Sequence, residues 1–292
     1  MISSSLSSRR KFKNALFARL CLLSAILATV ILIALIWGIL QQGLGRLNAD
    51  FFSNFGSRMP SRAGIKAALL GTVWVVALTG VIAIPVGLAA AIYLEEFAKK
   101  RNRLASFIEV NIANLASVPS IIFGLLGLAV FVRWFALDRS IISGALTMSL
   151  LILPTVVLVS REALRAVPST YRDASFAVGA TKWQTVRRVV LPAGSSGIMT
   201  GIILALSRAI GETAPLITIG AVSYISFVPS RLGDKFTVLP LQVFEWSSRP
   251  QVGFHEAAAA AILVLIGVLL ILNSIAITIR LKASKHVGGR AG

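Results

Sequence analysis

The sequence predicts an all-α membrane protein with six transmembrane helices. Three observations carry this. Of the 292 residues, 56% are hydrophobic and only 14% charged, against about 25% charged in average soluble domains; mean hydropathy is +0.84. Six apolar stretches each approach or exceed the ~20 residues that a helix needs to cross a hydrocarbon core. Lys and Arg gather in alternate connections, as the positive-inside asymmetry requires.

Taken in order, residues 1–19 form a Ser-rich, basic segment. The apolar run 20–40 is too long for a signal-peptide core and no A-x-A site closes it, so it reads as a retained first span. Residues 41–66 are a polar loop with a short surface helix expected at Asp50-Phe-Phe-Ser-Asn-Phe55. The second span, 67–94, contains Pro85, which membrane helices tolerate because neighbours re-satisfy the freed carbonyl. A charged turn follows at 95–103. The third span, 110–132, is interrupted at Val118-Pro-Ser-Ile-Ile-Phe-Gly124. The fourth, 141–159, contains Pro154. A polar insert covers 161–190. The fifth span, 191–225, is broken by Arg208, Glu212 and Pro215. Residues 226–256 read as a second long polar connection, 257–279 as the sixth span, and 280–292 as a basic tail. The membrane-spanning body is thus one unit, 20–279.

Six spans place both termini on one side. With them inside, nineteen Lys and Arg lie in inside segments and nine in outside loops. The bias puts both termini and the insert in the cytoplasm. The net charge of +18 therefore marks topology, not nucleic acid, and no aromatic–basic interleaving of the nucleic-acid kind is present. Cys21 is the single cysteine, so there is no disulfide framework or CxxC site. His255 and His286 lack metal-ligand spacing. No phosphate loop, HExxH or G-x-S-x-G motif occurs, so neither a metal nor a cofactor is expected on this chain, and no catalytic residue.

Within the insert, Pro168 suits a helix start. Residues 171–178 are reasonable helix formers, and Gly179 can take the left-handed conformation that ends a helix. Thr181 and Gln184 have capping-box spacing for a second helix, which meets the membrane at Leu191-Pro192. Ala174, Ser175 and Ala177 leave one surface flat enough for another protein. An ordinary solvated, positively charged loop is the plainer alternative. The pattern Asp173-Ala-Ser175, Gly179, Val189-Val-Leu191-Pro192 resembles the EAA motif of ABC importer permeases, Glu-Ala-Ala-x3-Gly-x9-Ile-x-Leu-Pro. Asp173, Ser175 and Val189 stand for Glu, Ala and Ile; Ala174, Gly179, Leu191 and Pro192 match. The resemblance implies an ABC type I importer permease fold with a cytoplasmic coupling helix that docks on an ATPase subunit.

Arg208 and Glu212 share a helix face at i,i+4 spacing. Counted from Gly194, Arg208 lies roughly 21 Å along a helix rising 1.5 Å per residue, near or beyond mid-membrane. An ionised residue there costs at least ~2.5–3.5 kcal/mol on insertion scales. It must face an interior or a water-filled cavity. Two readings remain: a structural pair locking two helices, or an anion site. In the second, the Arg fork matches a tetrahedral oxyanion and Glu212 accepts a hydrogen bond from a protonated one, which phosphate is and sulfate is not. Ser207 and Thr213 add hydroxyls, and Gly211 allows close backbone approach.

Ser207-Arg-Ala-Ile-Gly-Glu-Thr-Ala-Pro-Leu216 resembles the signature of the Pst phosphate importer permeases. Val118-Pro-Ser-Ile-Ile-Phe-Gly124 and Ala91-Ile-Tyr-Leu-Glu-Glu96 are similar to segments of the same family, and Ala63-Gly-Ile-Lys-Ala67 to its A-type subunit. That resemblance implies a bacterial inner-membrane phosphate permease with Arg208 and Glu212 on the substrate pathway. It implies a homologous second permease subunit (C-type), two cytoplasmic ATPase subunits that bind ATP and Mg, and an extracytoplasmic phosphate-binding protein received by the loops 41–66 and 226–256. Lipid surrounds the chain, and no nucleic acid is involved. The alternatives are a permease for another oxyanion (molybdate or sulfate), a stand-alone secondary transporter or channel, and a structural scaffold. The missing inverted repeat and the EAA-like insert weigh against the stand-alone transporter, and the cost of a buried charge weighs against the scaffold.

Overall fold

The structure, a computed structural model, describes residues 3–98, 103–222 and 224–288, with side chains for 10–98, 103–222, 224–278 and 280–281. Lys99, Lys100, Arg101 and Arg290 of the charge tally lie outside the described residues. Among the described residues the regular structure is all helical: α1 (Ser3–Gly43), α2 (Ala49–Ser53), α3 (Lys66–Ile92), α4 (Arg103–Ala116), α5 (Ser120–Gly127), α6 (Ile141–Arg165), α7 (Ser169–Ala177), α8 (Lys182–Thr185), α9 (Leu191–Gly211), α10 (Ala214–Ile219), α11 (Leu239–Ser247) and α12 (Val252–Gly288). Short 3-10 turns join α1, α2 and α3. Among the described residues, five helical stretches are long and apolar enough to cross a membrane, or six if the bent pair Arg103–Ala116 and Ser120–Trp134 is one span.

Three π turns extend helices: Tyr93–Phe97 after α3, Leu128–Trp134 after α5, and Val186–Val190 between α8 and α9. A π turn admits an extra residue without ending the helix and so redirects the side chains beyond it. The interruption expected in the third span is a 106° bend between α4 and α5. Its cause is Pro119: the residue before a proline is pushed out of the helical region, and Pro119 itself adopts φ −55°, ψ 135°.

The core lies where α3, α6 and α9 pack. Val75, Ala83, Met148, Ile152, Val156, Ala205 and Ala209 are buried there. A second cluster joins Phe51 of α2 to Trp246, Phe254 and the Ala257–Ala261 run of α12. A third fills the end that carries α7 and α8, hereafter the insert end, with Ala91, Leu94, Leu164 and Val190. By contrast, α1 is bare along its apolar window. It touches the bundle where Gly43 meets the backbone of Ala259 and Ala260. Such a surface is solvated by lipid chains, not water.

One stretch departs from the sequence reading. Residues 226–256 are not simply a polar connection. Phe236, Thr237, Val238, Leu239, Leu241 and Gln242 are buried. The chain threads back into the bundle, and several of its backbone polar groups pair with the body, as burial favours. The N–H groups of Ile141 and Ile142 donate to Asp234 and Leu232 carbonyls, and that of Val222 to Phe236. The Leu239 N–H donates to Thr72 Oγ1 at 2.8 Å. Gly71 makes room, since a Cβ there would lie 2.0 Å from the Thr237 carbonyl oxygen. At the turn before this segment, Asp234 accepts from the backbone N–H groups of Ser230 and Arg231. Those bonds hold its carboxyl below the usual aspartate range.

Candidate functional site

Arg208 occupies the last turn of α9, where the helix dipole favours a cation. The helix stops at Gly211. Glu212 is extended at φ −77°, ψ 125°, and Thr213 turns the chain into α10, whose early Pro215 costs no hydrogen bond at that position. The break expected in the fifth span, 191–225, is a corner at Glu212 and Thr213 between α9 and α10.

Arg208 Nε donates to Glu212 Oε1 at 3.4 Å. This is a long contact and uses one of the five guanidinium donors. The Arg208 side chain is 54% exposed and that of Glu212 20%. The two groups belong to one helix end, so their contact does not lock two helices together. Glu212 also lines a small cavity with Thr72, Val76 and Thr79 of α3 and Met148 of α6. A Cβ on Gly211 would meet nothing within 4 Å, so the backbone beside Arg208 is open.

Of the other expected residues, Ser207 turns away and donates to Asn273 Oδ1 on α12 at 2.7 Å. One heptad nearer the insert end, Arg280 of α12 donates to Thr200 Oγ1 of α9 at 2.9 Å. The two bonds form a polar ladder between antiparallel helices. Beside it runs an apolar groove of about 600 Å³ between α3, α9 and α12. Thr213 is half-buried at the corner and its carbonyl accepts from the N–H groups of Leu216 and Ile217.

The corner is held from behind. A Cβ on Gly124 of α5 would lie 1.7 Å from Thr218 Oγ1 and 2.7 Å from Pro215 Cα. Only a glycine lets α5 come this close to α10. Sequence reasoning set Gly124 in a motif without a role and did not single out Asn273. For Asn273 a signal was present, since it is the one amide in the apolar run 257–279.

The insert forms the second part of the site. Gly179 has φ +80° and separates α7 from α8. The capping box is complete: Thr181 N–H donates to Gln184 Oε1 and Gln184 N–H to Thr181 Oγ1. The Ser175 and Thr185 hydroxyls bond at 2.9 Å and tie α7 to α8. Asp173 and Ala174 are exposed, and Leu191 and Pro192 are half-buried where α9 begins. Tyr171, Phe176, Val178 and Trp183 are exposed, Val178 at 84%. Large apolar side chains presented on a polar segment suit contact with another protein or with the membrane surface.

Residues 83–281 match the family described as binding-protein-dependent transport system inner membrane component. The chain is 32% identical over 286 residues to the phosphate transport system permease protein PstA 1 of Mycobacterium tuberculosis (strain CDC 1551 / Oshkosh), covering 96% of this chain and 93% of that one. It is 33% identical over 266 residues to the phosphate transport system permease protein PstA of Xylella fastidiosa (strain Temecula1 / ATCC 700964), covering 90% and 91%. Its fold is similar to a solved bacterial ABC transporter involved in the import of the acidic polysaccharide alginate, with TM-score 0.63 and 16% identity over 96% of this chain and 99% of that chain.

Proposed function

Since the chain belongs to the family of binding-protein-dependent transport system inner membrane components, and is thus a permease subunit of an ABC importer, we propose that it carries inorganic phosphate inward with energy from separate ATPase subunits. The observation that carries the reading is Arg208. Its guanidinium lies half-exposed at a helix break, loosely held by Glu212. In a chain working alone that face would meet lipid, at a cost of at least ~2.5–3.5 kcal/mol. A second permease subunit against α9 removes the cost and leaves a polar space between the two. Phosphate enters that space, takes the guanidinium fork, and its remaining proton donates to Glu212. The names of the relatives support phosphate over other oxyanions. The exposed face of α7, around Asp173, Ala174 and Phe176, is the docking surface for the ATPase, which binds the ATP and Mg. Closure of the ATPase dimer then moves α9 and switches access from one side to the other. The outer loops receive a phosphate-binding protein, and both termini are cytoplasmic.

The test is ATP-driven uptake of radiolabelled phosphate by the complete complex in liposomes. Arg208→Gln removes a charge-assisted hydrogen bond of about 1.5–3 kcal/mol, which raises KM roughly 10- to 150-fold and leaves assembly intact. Phosphate entry without ATPase subunits, or unchanged uptake by Arg208→Gln, overturns the reading.

A further inference from the structure

At the insert end, six charged side chains from four helical elements meet. Glu95 and Glu96 are consecutive on the π turn that extends α3. They serve different partners. Glu95 accepts from Arg161 Nε at 3.0 Å and from Arg165 Nε and Nη2 at 3.1 and 3.0 Å, both on α6. Arg161 also reaches Glu109 of α4 at 2.7 Å. Glu96 accepts from Arg172 of α7, at 2.6 Å from Nη2 and 3.2 Å from Nε.

The Glu96–Arg172 pair differs from the rest. Its side chains are 8% and 20% exposed, and Arg172 donates further to the carbonyls of Leu164 and Val167 at 2.9 and 2.7 Å. The Leu164 carbonyl belongs to the last turn of α6 and that of Val167 to the link between α6 and α7. One guanidinium thus joins three elements: α7, the end of α6 and the end of α3. A planar, fixed fork transmits displacement in a way a flexible ammonium cannot.

Two side-chain links run from α7 into the body. Ser175–Thr185 leads through α8 and the π turn at Val186–Val190 into α9, which carries Arg208. Arg172–Glu96 leads into α3. At its far half α3 supplies Thr72, Val76 and Thr79, which line the same cavity as Glu212. The small cavity beside Glu212, behind the candidate site, therefore has one wall on each of the two helices that α7 grips.

Resting on the permease reading above, we propose that Glu96 and Arg172 are a transmission joint: they pass movement of the docking helix α7 to α3, so that both walls of the Glu212 cavity move in one stroke. They act through position and touch no substrate. Without the joint, an ATPase stroke still moves α9 but not α3, and ATP is spent without opening the path.

Glu96→Gln is the informative variant. It keeps the side-chain shape and leaves Arg172 its two carbonyl acceptors, while removing the charge. In the complete complex in liposomes, ATP hydrolysis and inorganic phosphate uptake are measured together. The expected result is normal assembly and near-normal hydrolysis, with phosphate moved per ATP lowered about 10-fold, within the 5- to 150-fold span of ordinary coupling energies. Glu162→Gln, an exposed carboxylate on α6, leaves that ratio unchanged. An unchanged ratio in Glu96→Gln, or hydrolysis and uptake falling in parallel, overturns the joint. If Glu96→Gln does not accumulate, Glu96→Asp keeps the charge and shortens its reach, and the same ratio is read; failure of both to accumulate makes the pair a folding element and overturns the proposal. A wild-type complex that hydrolyses ATP but moves no phosphate overturns the function proposed above, and the joint with it.

Discussion

Gly124 links packing to the candidate site, and Gly124→Ala tests that link. The added methyl would sit 1.7 Å from Thr218 Oγ1, 2.7 Å from Pro215 Cα and 2.8 Å from the Pro215 carbonyl oxygen. Ordinary contact needs ~3.5–4.0 Å. The Thr218 hydroxyl can rotate away at the cost of its 2.8 Å bond to the Pro215 carbonyl. The two backbone atoms cannot, so α5 and α10 must separate by about 1 Å. Overpacking of this kind costs typically 1–3 kcal/mol. Because α10 begins directly after Glu212 and Thr213, the displacement falls on the corner that positions Arg208. The expected outcome is a lower melting temperature in detergent and phosphate uptake reduced about 5- to 150-fold, as a barrier increase of that size implies. Thr218→Ala in the same chain removes the 1.7 Å contact but not the two backbone contacts, so it restores uptake only in part. Wild-type melting and uptake in Gly124→Ala would refute the argument that close α5–α10 packing fixes the corner.

Gly71→Ala should lower melting by a comparable amount, because a Cβ there meets the Thr237 carbonyl oxygen at 2.0 Å; limited proteolysis then cuts the buried 236–242 segment that intact chains protect. The Asp234 turn gives a pH dependence with a defined sign. A carboxyl held below its ordinary value contributes stability above the unfolded aspartate value of about 3.9, and that contribution is lost as pH falls through the lower folded value. Cleavage in the Ser230–Asp234 turn should stay constant from pH 8 to about 5 and rise below about 4, and Asp234→Asn should show the higher rate at neutral pH.

What the sequence made legible was local. Gly179 has positive φ because nothing else ends α7 as easily, and Thr181 with Gln184 form the expected capping box. These features depend on neighbours a few residues apart. The break before Pro119 was legible for the same reason, but its 106° angle was not, since it is set by what α4 and α5 pack against. The connection at 226–256 was misread because Arg231, Asp234, Lys235 and Arg249 flank a short apolar core, and composition averaged the two. The corner at Glu212 carried a visible signal in Pro215. The π turns had none, because no residue type marks an inserted residue within a helix. Glu95 and Glu96 stood in the sequence as a charged turn; their partners Arg161, Arg165 and Arg172 lie far along the chain.

The placement of polar contacts on α9 constrains how it can move. One face is tied to α12 by Ser207–Asn273 and Thr200–Arg280, at matching heptad spacing on both helices. In an apolar surrounding, breaking either bond exposes unsatisfied groups, and measured interhelical bonds there average about 0.6 kcal/mol. Two such bonds and the packing between them favour α9 and α12 moving as one body. Arg208 is carried on that body at its far end, while α3 forms the opposite side of the Glu212 cavity. A shift of α9 with α12, matched by the pull on α3 through Arg172 and Glu96, changes the shape of the cavity without breaking either polar ladder bond. That sliding of intact packed units is the kind of transition a close-packed bundle permits. It places the moving surface between α9 and α3, where Glu212 sits and where the pull of Arg172 on Glu96 would be felt.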